Sequence, residues 1–264
     1  MAAANDGKSS ARQKIEQARL AEAVAARRRR QIYITLAVAA VIVALVGIGI
    51  LVQHKKAAGD DQLGTGPLVS PSGAVADGTA IPLGDQNAKV TLTIYEDFRC
   101  PYCRMAEQTY ESVYKSFAAA GTVRVQYHLV NLIDRNLGGT GSIRSGNAGA
   151  CAQDSGKFEA YHDVLYTNQP DETDDAFGSN DKLISLAKQV PGLDTPVFEK
   201  CVNDGRHGSW VVANFDALSK LLGGSVATPY YAINGTQYSS TAQATPAAQA
   251  SFKAALDKAV AAAG

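Results

Sequence analysis

The sequence predicts an α/β domain that carries a helical insertion and stands behind a single N-terminal transmembrane helix. Three observations carry this expectation. Twenty-one consecutive residues without a charge, Ile32 to Val52, follow a run of four arginines, Arg27 to Arg30. Strand-period and helix-period segments alternate from about residue 90 onward. Between residues 145 and 222 every signal is helical, and the strand pattern then returns. The chain has 264 residues, 46% of them apolar, which suits one globular domain with appendages at about 100 to 200 residues per domain.

Charge sets the N-terminal half of the plan. The formal net charge is zero, but residues 1–56 hold ten Lys/Arg against three acids, and the remainder holds fifteen against twenty-two. Nothing in this balance points to nucleic acid. At about 1.5 Å rise per residue, 32–52 spans roughly the 30 Å of a bilayer core. Arg27 to Arg30, with Arg12, Lys14 and Arg19 upstream, outweigh Lys55 and Lys56 beyond it, so residues 1–31 are expected in the cytoplasm and everything after about 53 outside. The apolar run is too long for a signal-peptide h-region, and His54, Lys55 and Lys56 follow it where small residues would mark cleavage, so we read an uncleaved anchor in the cell membrane. The stretch 53–79 is rich in Gly, Ser, Asp and Pro, lacks apolar periodicity and reads as a flexible linker.

The exported domain is expected over 80–264. Val90, Leu92 and Ile94 alternate with Thr91, Thr93 and Tyr95, giving a buried strand that ends just before Cys100. Ala106, Tyr110, Val113, Tyr114 and Phe117 recur at helical spacing, so a helix runs from about Pro101 to Ala120, with Pro101 at its first position and Gly121 closing it. "TVRVQYHLVNLI" is the next strand. The helical insertion, about 145–223, includes the stripe Phe158, Tyr161, His162, Leu165 and a helix start at Thr195-Pro196. "ATPYYAINGTQYS" is a hairpin turning at Asn234-Gly235, and a last helix begins near Pro246.

All four cysteines lie beyond the predicted membrane helix, where disulfides are permitted. Four cysteines allow three pairings; proximity at a helix start favours Cys100 with Cys103 and leaves Cys151 with Cys201. A Cys151–Cys201 bridge closes a loop of about fifty residues, worth roughly 4 kcal/mol, and reads as structural. A Cys100–Cys103 bridge closes too small a loop to act mainly as a staple. A zinc site using Cys100 and Cys103, with His128 or His162, lacks the second close pair such sites usually show. Redox chemistry suits the pair better, because unpaired N–H groups and the dipole at a helix N-terminus favour a thiolate. Arg99 and Arg104 are candidate additional cations. The dipole supplies only about 0.3 to 1 kcal/mol, whereas moving a thiol pKa from about 8.5 to about 5 needs roughly 5 kcal/mol, so direct N–H and S–H hydrogen bonds must supply the rest.

"YEDFRCPYCRMAE" resembles the active-site segment of DsbA-like thiol-disulfide oxidoreductases of the thioredoxin superfamily, and "VATPYYAING" resembles that family's cis-proline strand. The resemblance covers about residues 80–264 and, with the anchor, is to a membrane-anchored bacterial type. It implies a thioredoxin fold, Cys100 as nucleophile, Cys103 as resolving thiol and Pro229 as a cis-proline packed against them. It also implies substrate contact at Tyr102 and at the backbone of Thr228, as strand addition. One position departs from the pattern: the buried acid expected six residues before the nucleophile is Ile94. Glu96 and Asp97 are the candidates for its proton-transfer role, and a pair of solvated acids at the strand end is the other reading.

"GGTGSIRSG", residues 138–146, resembles a phosphate loop only superficially and is expected to be a flexible loop. The histidines His54, His128, His162 and His207 are scattered and default to packing roles. No cofactor and no metal are expected. The activity expected is an oxidase that passes the Cys100–Cys103 disulfide to newly exported cysteine-containing proteins, with a quinone-linked membrane oxidase of the DsbB or VKOR kind restoring it. An exported reductase or isomerase is the alternative of the same chemistry. A thioredoxin-like binding module with non-catalytic cysteines is the alternative of another class.

Overall fold

A computed structural model of the chain describes residues 63–239 and 244–264. The predicted basic segment 1–31, the predicted membrane helix 32–52 and the start of the linker lie outside the described residues. Among the described residues no helix is long and apolar enough to cross a membrane.

The domain opens on a short strand, β1 (Ile81–Leu83), which periodicity cannot show in three residues. Strand β2 (Val90–Glu96) leads through a tight turn into helix α1 (Pro101–Ala119). Pro101 takes the first helical turn, and Gly121, at φ 67°, closes the helix, with Thr122 N donating to Phe117 O. Strand β3 (Val123–Leu129) is shorter than its sequence pattern. Its predicted tail instead starts a helix, α2 (Leu132–Leu137), because the Ile133 amide is taken by the Asp97 carboxylate at 2.8 Å and leaves the sheet.

The expected flexible loop at 138–146 is corrected: helix α3 (Gly141–Asp154) begins inside it. Its first amides are capped from a distance. Thr140 and Gly141 donate to Asp175 at 3.0 and 2.8 Å, and Ser142 and Ile143 donate to Asp134 at 2.8 Å each. Glycine is needed at 141, where an added Cβ would fall 2.5 Å from Asp175 Oδ1. The segment that looked like an anion loop thus holds two anions of its own chain. Helix α4 (Phe158–Thr167), a 3-10 turn (Ala176–Gly178), α5 (Asn180–Ala187), α6 (Pro196–Asn203) and α7 (Gly208–Leu221) follow. Thr195 caps α6 by accepting from Phe198 N at 3.2 Å. The insertion therefore starts at Leu132, earlier than about 145. A disulfide joins Cys151 on α3 to Cys201 on α6, with Cα atoms 5.9 Å apart. The hairpin β4 (Tyr230–Ile233) and β5 (Thr236–Tyr238) turns at Asn234 and Gly235, both at positive φ, and α8 (Pro246–Ala263) ends the chain.

The sheet order is β1-β3-β2-β4-β5, with β2 and β3 parallel and the other pairs antiparallel. Leu92, Ile94, Tyr127 and Tyr231 pack with Tyr110 and Tyr114 of α1 and Phe252 of α8 on one face. On the other, Tyr95 and Tyr230 pack with Leu218 of α7. Glu96, two residues after Ile94 on β2, falls on the α1 face and is fully buried there.

The flexible tether read over 53–79 is corrected for its second half. Leu63 packs on the core, Trp210 Nε1 donates to Gly78 O at 2.7 Å, Ser72 N donates to Asp154 at 2.7 Å, and Ser209 donates to Gly66 O at 2.7 Å. Polar, turn-rich composition hid this docking, because apart from Leu63 the named contacts run through the backbone of the segment rather than through apolar side chains.

Candidate active site

The turn between β2 and α1 is built by Asp97. Its carboxylate accepts from Arg99 N and Ile133 N at 2.8 Å each, and its carbonyl accepts from Cys100 N at 2.9 Å. Cys100 then occupies the N-cap of α1, with Cys103 one turn in. The side chain of Gln169, from the insertion, donates to Phe98 O at 2.8 Å and Cys100 O at 2.9 Å, tying the turn down. The Thr228–Pro229 peptide bond is cis, and the Cys100 thiol donates to Thr228 O at 3.5 Å. Sequence positions 100, 103, 228 and 229, far apart in the chain, are therefore brought together, and Tyr102 stands 54% exposed beside them.

The Cys100 thiol is lowered to about 7. The hydrogen bond from the Cys103 thiol contributes most, burial opposes it, and the Thr228 side chain and the amides of Cys103 and Tyr102 add to the lowering. Burial first, and then the Cys100 sulfur, push Cys103 well above its ordinary range. Of the two thiols, Cys100 is thus the one that ionises first, while Cys103 holds its proton. Cys100 is only 3% exposed, because the turn, Gln169 and the cis-proline segment close around it. One expectation needs correction. Arg99 gives its charge elsewhere: its Nη1 lies 2.6 Å from Asp134 and 2.9 Å from Asp175, under the N-terminus of α3. Arg104 donates to Gln169 O at 3.3 Å.

Neither candidate acid is solvated: Glu96 and Asp97 are both buried. Asp97 is raised to about 7 by burial, against the lowering by the amides it binds, and its own N–H lies 3.5 Å from Cys103 Sγ. Glu96 pairs with His162, Oε1 to Nε2 at 2.9 Å. Burial would depress the imidazole, but the Glu96 charge and the hydrogen bonds to Asp163 and Glu96 win and hold His162 well above its ordinary value. Glu107 joins them, raised to about 8 by burial first and by the Glu96 charge second, with its oxygens held by the hydroxyls of Tyr114 and Tyr231. His128, by contrast, stacks on Tyr95 on the opposite sheet face, and burial lowers it to about 4.

Glu107, His162 and Gln169 are the site residues that the sequence reading missed. Two of them carried a signal: Glu107 falls on the same helical stripe as Cys103, Tyr110 and Tyr114, and His162 interrupts the apolar stripe of α4. Gln169 carried none. Among the described residues, ligand atoms of Glu96, Glu107 and His162 lie within 4.8 Å of one another, as do those of Glu111, His162 and Asp163. Cys151, Cys201 and His207 form a third such group, but its sulfurs are spent in the disulfide.

A family model for thioredoxin matches residues 76–258. Among solved structures, the chain is similar to the reduced disulfide bond oxidoreductase DsbG of Mycobacterium tuberculosis, at 27% identity and a TM-score of 0.56 over 70% of this chain and 94% of that one. It is also similar to reduced DsbA of the same organism, at 26% identity and a TM-score of 0.55 over 71% of this chain and all of that one. A curated relative, the Na(+)/H(+) antiporter NhaA 3 of Salinispora tropica, is 29% identical over 161 residues, which are 59% of this chain. The match spans only 22% of that relative's length.

Proposed function

The chain belongs to the thioredoxin family and is a protein-disulfide oxidoreductase of DsbA-like fold, and from that premise we propose that it is an extracytoplasmic oxidase, introducing disulfides into exported proteins. The observation that carries the reading is the placement of Cys100 at the N-cap of α1, against Thr228 and the cis peptide to Pro229, with Cys103 buried behind it. A substrate thiolate attacks Cys100 Sγ; the Cys100–Cys103 bond breaks, and Cys103 takes the electron pair and then a proton. A second substrate thiol attacks the substrate sulfur of the mixed disulfide, forming the substrate disulfide and releasing Cys100 as a thiolate. Two electrons have then passed to the protein. The exposed ring of Tyr102 and the Thr228 backbone are the surfaces along which an extended substrate segment lies.

The same reading places the chain in the cell membrane through residues 32–52, N-terminus inside, with the bilayer and a quinone-linked thiol oxidase of the DsbB or VKOR kind as partners. The charge asymmetry about 32–52 supports that orientation. A reductase is the second reading, favoured by the modest acidity of Cys100: about 7 is the thioredoxin range, whereas a strong oxidant of this class sits near 3.5. Equilibration with glutathione separates the two. A reduction potential between about −120 and about −180 mV is expected for the oxidase, and a value near about −270 mV overturns it in favour of the reductase.

A further inference from the structure

Cys103 is fully buried and has no direct way to exchange its proton with water. Behind it the Glu96–His162 pair runs toward the surface. His162 Nε2 meets Glu96 Oε1 at 2.9 Å, and His162 Nδ1 meets Asp163 Oδ1 at 3.3 Å. The Glu96 and His162 side chains are each 1% exposed, the Asp163 side chain 45%. Glu96 Oε2 has no hydrogen-bond partner, and neither has the hydroxyl of Tyr166, so the inner end of this line is a buried acceptor left open. The outer end meets a cavity of about 140 Å³ lined by Arg104, Glu107, Gln108, His162, Asp163 and Tyr166, in which Gln108 is exposed.

We propose that His162 is a positioning residue that aims Glu96 at Cys103 and carries its proton to Asp163 and the cavity beside it. This rests on the reading of Cys100–Cys103 as an exchange centre. When Cys103 resolves a mixed disulfide, its S–H proton goes to Glu96 Oε2. Its sulfur pair forms the Cys100–Cys103 bond, and the Cys100–partner bond breaks, the partner leaving as a thiolate. One proton has entered the pair at Glu96, and one leaves at His162 Nδ1, so the pair stays neutral as a whole. When a substrate thiolate instead expels Cys103, the protons run inward by the same route.

The groups around the pair limit where its proton can rest. Glu107, Tyr114, Tyr127 and Tyr231 face it from α1, β3 and β4, and burial raises all four, so none of them competes as a proton outlet. On the outer side, Asp163 is held below its ordinary range, its hydrogen bonds to His162, Glu111 and Lys115 outweighing burial, and Lys115 also pairs with Glu111 and Glu159.

The test is oxidation of the reduced full chain by oxidised glutathione from about pH 5 to about pH 9, with acid quenching and mass spectrometry to separate formation of the Cys100 mixed disulfide from its resolution. His162→Gln is expected to leave formation within about twofold and to slow resolution by about tenfold or more near neutral pH, with added imidazole restoring part of the rate. Asp163→Asn, whose change lies at the surface, is expected to slow resolution about threefold and shift its pH profile; it carries the test should His162→Gln fail to fold. Unchanged resolution in a folded variant overturns the proposal, as does equal loss of both steps, which marks a structural role. A wild-type chain that forms no mixed disulfide overturns the exchange reading and this proposal with it.

Discussion

At the scale of the residue, Cys100 and Cys103 share one proton unequally. Cys100 is lowered to about 7, first by the Cys103 thiol and then by Thr228 and the helix-end amides, and Cys103 is raised by burial. A thiolate ultraviolet titration of the reduced protein is expected to show one transition near pH 7 that Cys100→Ala removes; a midpoint at the free-thiol value of about 8.5 would contradict it. The sign for stability follows. A folded value below the unfolded one stabilises the reduced protein above about pH 8.5, and that contribution, about 2 kcal/mol, is lost as pH falls through 7. The tetrad, its helix start and the Thr-Pro that meets it were legible as residues. The burial of Glu96 was half legible, since it shares the face of Ile94, but its partner His162 was not, being sixty-six residues away.

At the scale of the element, the insertion is stitched to the active-site turn from two sides. Arg99, the residue before Cys100, binds Asp134 and Asp175, and those two carboxylates cap α3. Gln169, beyond α4, holds the carbonyls of Phe98 and Cys100. The disulfide instead ties α3 to α6, away from the turn. Replacing Cys151 and Cys201 by serine is therefore expected to lower stability by about 4 kcal/mol in urea denaturation while leaving the Cys100 titration midpoint in place. A shifted midpoint would mean that the bridge also sets the site. The start of α3 at Gly141 was illegible because its caps are not local: one is seven residues back and the other thirty-four on, so a glycine-rich run read as loop.

At the scale of the molecule, residues 63–79 belong to the folded unit. They satisfy Trp210 through Gly78, meet His207 through Val69 at 2.8 Å, and bond Asp154 through Ser72. A fragment beginning at residue 80 is expected to be less stable than one beginning at 63 by at least about 2 kcal/mol, since several buried partners are lost at about 0.5 to 1.5 kcal/mol each. Equal denaturation midpoints would show the segment to be a tether after all.

Periodicity and punctuation determined the elements: alternation placed β2 and β3, the helical stripe placed α1, and Asn-Gly placed the hairpin, because each signal is local to the segment it shapes. The cysteine tetrad at a strand-to-helix junction determined the chemistry for the same reason. Only tertiary structure decided which acids the thiols answer to, what Arg99 neutralises, how deeply Cys100 is covered and where the linker stops. Each of these depends on groups distant in sequence meeting in a medium that excludes water, where an unpaired charge is costly and its partner can come from anywhere in the fold.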